Sequence, residues 1–577
     1  MEHRPDEPAA GRDAEPVDPP AASPRSGADA RAALRDRSTA AAALVGIGIL
    51  ASRVAGFVRD RMLASYFGAG LHADVFSAGL RLPNVLQNLL GEGTLSASFI
   101  PVYSELLGQG RTKEAGRVAG AAFAFLLAVA GGFALVGVTF APLLVTVFLP
   151  GFEAHRRELM IDVVRIVFPM TGVLVLSAWA LGILNSHRKF LVSYFAPVLW
   201  NVAIIAALLV FGGRRDLDGL LMAAAWGALI GGALQFAVQL PWVLKLDREI
   251  RVNSGRGDAR FREVVRNAAP AIAGRGVVQL SGYLDLILVT LLAVGAPTRL
   301  RFAQTLYLLP VSLFGMSVAA AELPDLARER GAATTALRER AVAALRRVAF
   351  YVVPSFVAFL GLGDVLVAGL YRVGEFGAAD VTVVWLTLAA YCLGLLPSTA
   401  TRVYQSVFFA LRDTRTPARV AALRVLTAAI AGAALMVQFE PIALFGMPIP
   451  AGVFAGANVA GVPLGPLGLA AGAAVGAWLE WLLLRRRLRA RIGTVGAGAA
   501  PLARMFGAAV LAAAAGRGVK LAIGALAPLP AALIVAGVFG VVYLGAAHAL
   551  GLGEARLLFA AFRRRLRGRP NPSTEGS

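Results

Sequence analysis

The sequence predicts an all-α polytopic membrane protein with about fourteen transmembrane helices. The chain has 577 residues, of which 57% are hydrophobic, and its mean hydropathy of +0.68 exceeds that of a typical soluble protein. Apolar stretches of about 20 residues, the length that a span requires, recur from residue 39 to residue 550. An outer-membrane barrel is excluded, because its strands are short and alternate in polarity.

Hydropathy places fourteen apolar segments along the chain. The second contains Pro83 and the sequence GEG at 91–93, so we expect that helix to break there. The stretch FGMPIPAGVFAGANVAGVPLGP, between the eleventh and twelfth segments, fits either a loop or a broken helix. The predicted spans are 39–67, 75–106, 118–149, 158–185, 191–212, 219–244, 264–294, 300–326, 341–370, 380–411, 418–445, 456–484, 502–525 and 528–550.

Composition divides the chain into five parts. Residues 1–38 have almost no large apolar side chains, which predicts a disordered cytoplasmic tail, too long and polar for a signal peptide. The basic amphipathic stretch GEARLLFAAFRRRLRGR near the C-terminus fits either a helix on the inner leaflet or a solvated basic end. The other predicted parts are a first six-helix lobe at 39–245, a second at 262–490, two final transmembrane helices at 500–550 and a basic cytoplasmic tail at 551–577.

The distribution of basic residues predicts the orientation. The formal net charge is +21. Lys and Arg concentrate at alternate connections: leaving out the N-terminal tail, 34 of them lie on one side and 9 on the other. The positive-inside rule then places both termini in the cytoplasm, which an even number of spans also requires. Because topology accounts for the positive charge and no basic patch is interleaved with aromatic residues, nucleic acid is excluded as a partner.

Motifs for catalysis or metal binding do not occur. Cys392 is the only cysteine, and the five histidines are scattered without metal-ligand spacing. No phosphate-binding loop, nucleophile elbow or zinc-protease motif is present. The sequence therefore predicts a protein that is not an enzyme and that has no metal site and no cofactor.

A weak internal repeat predicts two lobes. FSAGLRLP at 76–83 resembles FAQTLYLLP at 302–310, and ILNSHRKF at 183–190 resembles ALRDTRTP at 410–417, at offsets of 226 and 227. Six helices separate the copies, so both have the same orientation and form a parallel repeat. We therefore expect two six-helix lobes facing a central cavity, with the last two helices outside the repeat.

Charged residues interrupt the first apolar segment in SRVAGFVRDR, residues 52–61. Each intramembrane charge costs about 2.5–3.5 kcal/mol on insertion scales. A seven-residue spacing places Arg53 and Asp60 on one helix face, and the repeat makes Arg59 equivalent to Asp285. These residues either line a hydrated cavity, or they snorkel to the interface and pair locally.

Other polar residues in the apolar segments extend this candidate site. Each fits either a contact in the cavity or a structural role as a helix-end anchor or a buried pair. Together they predict a cavity with positive character, and because arginine forks bind phosphate, either a phosphate-bearing amphiphile or a soluble organic anion fits it. The additional candidates are Asp74, Arg81, Glu92, Arg275, Gln279 and Asp285.

Several motifs resemble one family of membrane transporters. The longest is SRVAGFVRDRMLASYFGAGLHADVFSAGLRLPNVLQNLLGEGTLSASFIPVYSELL at 52–107, followed by LNSHRKFLVSYFAPVLWN at 184–201, QLPWVLK at 239–245 and LRDTRTP at 411–417. They resemble the lipid II flippases called MurJ or MviN, of the multidrug/oligosaccharidyl-lipid/polysaccharide exporter superfamily. The resemblance is strong at the start of the chain and weak after residue 420.

The resemblance implies a function. It implies fourteen helices that move a lipid-linked diphosphate sugar from the inner to the outer leaflet of the bacterial cytoplasmic membrane by alternating access. Substrate and membrane lipids would be the partners, and the machinery of cell-wall synthesis is a further candidate. The family's cavity arginines match Arg53 and Arg59, its aspartate early in the second helix matches Asp74, and Asp60 and Glu92 match motif positions.

The sequence departs from the family pattern at two positions. Gln87 and Thr305 stand where the family leads us to expect arginines, so the resemblance predicts a headgroup site with fewer cations. Some members bind sodium between the seventh, eleventh and twelfth helices, and Asp285 fits such a site, whereas residues 424–437 supply no carboxylate or amide. Two alternatives stay open: a relative that exports another lipid-linked glycan or amphiphile, and a non-transporting scaffold for envelope synthesis.

Overall fold

The computed structural model describes residues 24–152, 154–316, 334–444, 447–524 and 526–566. The described chain is almost wholly helical, and its only strands lie between residues 442 and 463, where the eleventh predicted span ends and the twelfth begins. The first lobe contains α1 Pro24–Phe67, α2 Leu71–Arg81, α3 Asn84–Leu90, α4 Glu92–Gly108, α5 Thr112–Thr139, α6 Ala141–Phe148, α7 Ala154–Ser186, α8 Phe190–Phe211 and α9 Leu217–Leu246.

The second lobe repeats the same order of helices. Its second helix, α11, continues into one π-helical turn at Val311–Met316. The helices are α10 Ala259–Thr290, α11 Ala296–Pro310, α12 Thr334–Tyr371, α13 Ala378–Cys392, α14 Leu395–Ala410, α15 Arg415–Met436 and α16 Gly465–Ile492. The remaining helices are α17 Ala499–Ala522, α18 Pro528–Ala549 and α19 Gly553–Leu566.

Each predicted span corresponds to a helix or to a series of broken helices. Among the described residues, nine helices are long and apolar enough to cross a membrane, and α13 with α14, bent by 41°, forms a tenth span. The other four predicted spans correspond to α1, the α2–α4 series, α10 and, for the eighth span, α11 with its π-helical turn, whereas residues 317–326 of that span lie outside the described residues. The helices of the α2–α4 series and α11 have at most 17 residues each, and α1 and α10 contain the charged residues Arg59, Asp60 and Asp285.

The break predicted in the second span is confirmed. α2 ends at Arg81, α3 begins after Pro83, and α4 begins after Gly91. Proline removes a backbone donor and clashes with the preceding turn. A Cβ at Gly91 would lie 2.1 Å from the carbonyl oxygen of Gln87, so the second break requires glycine.

Two predicted boundaries differ from the structure. α1 begins at Pro24, inside the tail predicted to be disordered, because Ala and Arg in this stretch favour a helix although they provide no core. Residues 1–23 and 567–577 lie outside the described residues. The twelfth span begins at Gly465, because short antiparallel hairpins precede it: β1 Ile442–Leu444, β2 Met447–Ile449, β3 Asn458–Val459 and β4 Val462–Pro463.

The two lobes show the predicted repeat in local detail. FSAGLRLP and FAQTLYLLP lie in α2 and α11, the short second helix of each lobe. The turns that follow α7 and α14 each contain an arginine with positive φ, 58° at Arg188 and 57° at Arg412. This left-handed conformation is uncommon outside glycine, so its occurrence in both turns supports a structural repeat.

Apolar packing joins the lobes. One continuous cluster includes Leu63 and Phe76 from the first lobe and Phe302 and Tyr371 from the second. The rings of Phe302 and Tyr371 stack with their centroids 4.1 Å apart, which holds α11 against α12. A smaller cluster packs α17, α18 and the start of α19 on α12.

Candidate functional site

A cavity of about 670 Å³ lies in the first lobe and is closed on one side by α11 of the second lobe. Three arginines line it, Arg59, Arg81 and Arg301, and the described residues contribute no carboxylate to its lining. The cavity therefore has the positive character that the sequence predicted. Its volume falls within the range of about 300–1,000 Å³ that is typical of ligand sites.

Helix α1 presents a narrow polar face to this cavity. Ser52, Gly56 and Arg59 line it at intervals of four and three residues, as expected for one face of a helix. Asp60 lies one position further round and is 4% exposed. The small residues at 52 and 56 leave space in front of the Arg59 side chain.

Asp60 joins two arginines from different lobes. Its Oδ1 accepts hydrogen bonds from Arg59 Nη2 and from Arg301 Nη2, both at 2.8 Å. Arg59 Nη1 also donates to Asn201 Oδ1 at 3.0 Å, and its guanidinium lies 5.0 Å from the centroid of the Trp200 ring. A buried carboxylate is tolerated when it is paired in this way, and the two cations with one anion leave a net positive charge.

Arg301 was not among the residues predicted for the site. It lies four residues before Thr305, hence one turn earlier on the same face of α11. Thr305 does not line the cavity, and its hydroxyl donates to the carbonyl oxygen of Arg301 at 2.9 Å. Arg301 thus places in the cavity the guanidinium that the resemblance led us to expect from position 305.

Both guanidinium groups retain donors for a ligand. A guanidinium has five N–H donors, and Arg59 uses Nε, Nη1 and Nη2 once each. Arg301 Nε is buried and has no hydrogen-bond partner among the described residues. Arg301 donates to Asp60 through Nη2, and its side chain lines the cavity and is 21% exposed, so the guanidinium is within reach of a ligand.

Neutral polar groups form a further part of the cavity lining, beside apolar side chains such as Leu80, Met170 and Leu174. Gln235 Nε2 donates to Ser177 Oγ at 2.8 Å, and Ser177 Oγ donates to Gln239 Oε1 at 2.7 Å. Gln87 and Gln304 also line the cavity. At position 87 the side chain is an uncharged amide. This departure from the family pattern is not compensated, whereas Arg301 compensates for the departure at position 305.

Arg81 and Asp285 lie where α2 meets α10. Arg81 lines the cavity, and a Cβ built on Gly282 would lie 3.7 Å from its Nη2. Asp285, partly buried on α10, is under the electrostatic influence of Arg81 and Arg424. The two lobes therefore contribute opposite charges at this junction.

Arg424, one of the cations that act on Asp285, pairs with Glu480. Arg424 of α15 donates from Nη1 to Glu480 Oε2 at 2.8 Å, and Glu480 is 1% exposed. Gln405 Nε2 donates to the other oxygen of Glu480 at 3.0 Å. The described residues contain no group of three or more His, Cys, Asp or Glu side chains that could hold a metal ion.

Arg53 lies outside the cavity. It is exposed and does not contribute to the lining, although its spacing from Asp60 predicted a shared face. Seven residues correspond to about 10.5 Å along a helix. At the level of Asp60 the helix is covered by α11, whereas at the level of Arg53 the same face is not covered.

Asp74 does not contact the cavity either. It is fully buried and accepts hydrogen bonds from Arg156 Nη2 at 2.8 Å, from the backbone N–H of Gly295 at 2.6 Å and from the backbone N–H and hydroxyl of Thr298. These donors belong to α7 and to the start of α11. Asp74 therefore caps a helix of the opposite lobe. Of the two roles predicted for it, a contact in the cavity or a buried ion pair, the structure shows the buried ion pair.

Asp74 belongs to a contact zone that closes one end of the cavity. This is the arginine-poor end, which contains the connections with few Lys and Arg. Arg61 donates to the carbonyl oxygens of Gly369 and Leu370 at 2.7 and 2.9 Å, and the backbone N–H of Glu375 donates to the carbonyl oxygen of Ser65 at 3.1 Å. At the arginine-rich end α10 also packs against α4, because Phe261 and Val264 of α10 are buried in one cluster with Leu95 and Phe99 of α4, beside the exposed pair Arg260–Glu105 at 3.3 Å.

Three predicted site residues have side chains outside the described residues. Glu92 is the first residue of α4, and Arg275 and Gln279 lie in the middle of α10. Sequence reasoning also missed Trp200 and Asn201, which lie in the quoted motif LNSHRKFLVSYFAPVLWN but carry no formal charge. A search for uncharged polar groups on apolar helix faces would have found Asn201.

The fold and the site define the class of the protein. Two repeated helical lobes enclose a cationic cavity that is closed at one end, which is the architecture of an alternating-access membrane transporter for an anionic substrate. A family model described as "Lipid II flippase MurJ" matches residues 63–523. The chain belongs to this family.

Curated relatives and solved structures agree with this assignment. The chain is 31% identical over 382 residues to the lipid II flippase MurJ of Burkholderia cenocepacia, covering 64% of this chain and 73% of that protein. It is 30% identical over 391 residues to a probable lipid II flippase MurJ of Haemophilus influenzae, covering 64% and 76%.

The fold is similar to solved transporter structures. A structure titled "Lipid II flippase MurJ, inward closed conformation" matches with a TM-score of 0.69 at 20% identity, covering 90% of this chain and all of that one. An inward-facing multidrug resistance transporter of the MATE family matches with a TM-score of 0.58 at 16% identity, covering 75% and 95%. These similarities support the two-lobed fold. The protein is a multi-pass membrane protein of the bacterial inner membrane.

Proposed function

We propose that the protein moves lipid II, the lipid-linked precursor of peptidoglycan, from the inner to the outer leaflet of the cytoplasmic membrane. The observation that carries this proposal is the Arg59–Asp60–Arg301 cluster in a cavity closed at one end. Family membership supplies the substrate, and the cluster supplies the chemistry. The proposal involves no covalent step and no cofactor.

The diphosphate of the substrate fits the two arginines. Arg59 and Arg301 approach the cavity from opposite lobes, and each retains N–H donors that are free of Asp60. Arginine binds phosphate oxygens through two parallel hydrogen bonds and stays charged. Asp60 holds both guanidinium groups in place, so the site is ordered before the substrate arrives.

Sugar and peptide groups of the substrate fit the neutral part of the cavity. Gln87, Gln235 and Gln304 offer amide donors and acceptors to hydroxyl and amide groups. Such groups discriminate by hydrogen bonding without adding charge. The lipid chain would stay in the bilayer while the headgroup crosses.

The arginine-poor end corresponds to the outer side in this proposal. The positive-inside rule places both termini and the arginine-rich connections in the cytoplasm. The packing of Phe261 and Val264 on α4 then lies at the inner side, and the buried contacts of Asp74 and Arg61 close the outer side. Separation of the lobes at that end would release the headgroup to the cell-wall synthesis machinery.

Complementation of a flippase-depleted bacterium tests the proposal, with lipid II on the outer leaflet as the readout. The wild-type chain should restore exposure, and Arg59→Ala should abolish it at normal protein level. Arg59→Lys should restore it only in part, because a point charge lacks the bidentate fork. Arg165→Ala is the control, since Arg165 is 49% exposed and pairs with Asp162 on the surface. No exposure with the wild-type chain would contradict lipid II as substrate.

A further inference from the structure

A second cavity, separate from the central one, lies between the start of α12 and α19. Its volume is about 970 Å³. Four arginines line it, Arg338, Arg346, Arg347 and Arg556, together with Glu339 and Glu554. The charged lining is therefore positive on balance, and none of these residues belongs to the central cavity.

Helix lengths place this cavity at a membrane surface. α12 has 38 residues, which corresponds to about 57 Å at 1.5 Å per residue. The hydrocarbon core is only about 30 Å thick, so the first turns of α12 extend past it on the arginine-rich side. Arg346 and Arg347 lie closest to the core and Arg338 lies further out.

Helix α19 forms the other wall and has the properties of an interfacial helix. Ala555 and Leu552 are buried in the cluster that includes Phe350 of α12, which anchors the start of α19. Leu557 is 69% exposed and Phe559 is 37% exposed. Exposed apolar side chains beside basic ones are typical of a helix that lies in the headgroup region of a bilayer.

The arginines in this cavity are arranged for a phosphate. Arg346 Nε donates to the carbonyl oxygen of Ala497 at 3.0 Å, which restricts its guanidinium. Arg338 and Arg347 flank it on α12, and Arg556 approaches from α19. Leu557 adds an apolar side to the same cavity. A ligand that satisfies both features has a negatively charged phosphate and a hydrocarbon chain.

We propose that this cavity binds the headgroup of an anionic phospholipid from the leaflet on its side of the membrane. The phosphate contacts the arginines of α12 and α19, and the acyl chains pass along Leu557 and Phe559. The bound lipid links α12 of the second lobe to the C-terminal helix. This site is independent of the proposed transport function, because it shares no residue with the central cavity.

Lipid retention by the purified full-length protein tests the proposal. The protein is reconstituted in vesicles of phosphatidylcholine and phosphatidylglycerol at three to one, extracted in mild detergent, and its retained lipid is quantified. The variant is Arg338→Gln, Arg347→Gln and Arg556→Gln together, which leaves the contact of Arg346 with Ala497 intact. The matched control replaces three exposed arginines of α16 that lie outside this cavity: Arg486→Gln, Arg487→Gln and Arg489→Gln.

The wild-type chain and the control should retain phosphatidylglycerol in preference to phosphatidylcholine, and the triple variant should retain at least about fivefold less. If the triple variant does not fold, judged by its melting curve, Arg338→Gln alone should show a smaller loss. Equal retention by wild type and folded variant would overturn the proposal. Displacement of the lipid by millimolar inorganic phosphate, with no effect of Leu557→Ser, would identify a soluble phosphate site instead and would also overturn it.

Discussion

Arg301 shows how a site can keep its charge while one residue changes position. The family pattern expects arginine at 305, and here Thr305 bonds back to the chain while Arg301, one turn earlier, reaches Asp60 at 2.8 Å. A turn of helix moves a side chain about 6 Å along the axis. The length and flexibility of arginine can span such a shift, so the two positions can serve one binding group.

This reasoning predicts the outcome of an exchange. Arg301→Ala should abolish lipid II exposure, because Asp60 then loses one of two partners and the cavity loses a cation. The double change Arg301→Thr with Thr305→Arg should restore part of the activity, since both positions share a face of α11. The measurement is outer-leaflet lipid II in depleted cells at matched protein levels. Full loss in the double variant, together with normal folding, would argue that only position 301 can hold the guanidinium.

At the scale of elements, the contact between α2 and the start of α11 closes the cavity. Asp74 is completely buried, and its partner Arg156 is 7% exposed along its side chain. Removing one member of a buried pair leaves an uncompensated charge and costs about 3–5 kcal/mol. The same carboxylate accepts two backbone N–H groups of α11, so its loss loosens both lobes at once.

Asp74→Ala should therefore lower the melting temperature and open the arginine-poor end. A cysteine at Ser77, which lines the cavity and is 7% exposed, should react faster with an impermeant thiol reagent added from outside. Cys392 is replaced first in this experiment. Asp216→Ala is the control, because Asp216 caps α9 at an exposed position. Unchanged labelling at Ser77 would show that other contacts suffice for closure.

The turn between α14 and α15 supplies a pH-dependent contribution to stability. The backbone N–H of Thr416 donates to Asp413 Oδ1 at 2.9 Å and Arg491 Nη2 donates to Oδ2 at 2.6 Å. Thr416 first, and then Arg491, lower the pKa of Asp413 to about 2. An unfolded aspartate has a pKa of about 3.9. The contribution of ionised Asp413 to folding stability is therefore complete above about pH 4 and is lost as the pH falls towards 2.

Asp413→Asn should thus lower the melting temperature by a few degrees between pH 5 and pH 8, since asparagine can still cap α15 but cannot pair with Arg491. The difference from wild type should shrink below pH 4. Thermal unfolding in detergent across this pH range gives the comparison. A difference that stays constant down to pH 2.5 would mean that the charge of Asp413 does not contribute.

At the scale of the whole molecule, the alternation of basic and neutral connections defines the two sides. Lys and Arg number 34 on one side and 9 on the other, leaving out the N-terminal tail. Arg256 and Ala378 are exposed residues on opposite sides of this division. The buried contacts of Asp74 and Arg61 lie at the side of Ala378, so orientation decides which leaflet these contacts face.

Cysteine labelling in intact cells checks this orientation. With Cys392 replaced, Ala378→Cys should react with an impermeant thiol reagent from outside, and Arg256→Cys should react only after the cells are permeabilised. Both variants should support growth, because neither position lines the cavity. Labelling of Arg256→Cys in intact cells would reverse the assignment of sides.

The sequence by itself determined the elements of this protein. Hydropathy and the spacing of Gly and Pro predicted the spans, the break at Pro83 and Gly91, and the repeat that pairs α2 with α11, because these are properties of single segments. For the charges of SRVAGFVRDR the sequence left open a hydrated cavity or local pairing, and the structure shows Arg59 both lining the cavity and paired with Asp60. Arg59 and Asp60 lie in that motif and do meet there.

Only the tertiary structure decided which partners these charges have. Arg301 is separated from Asp60 by 241 residues and Asn201 from Arg59 by 142, so no local pattern connects them. The same holds for Asp74, whose hydrogen-bond donors at positions 156, 295 and 298 are all far from it in the sequence. A charge in a membrane must find its partner across helices, and the packing of the lobes determines which residue that is.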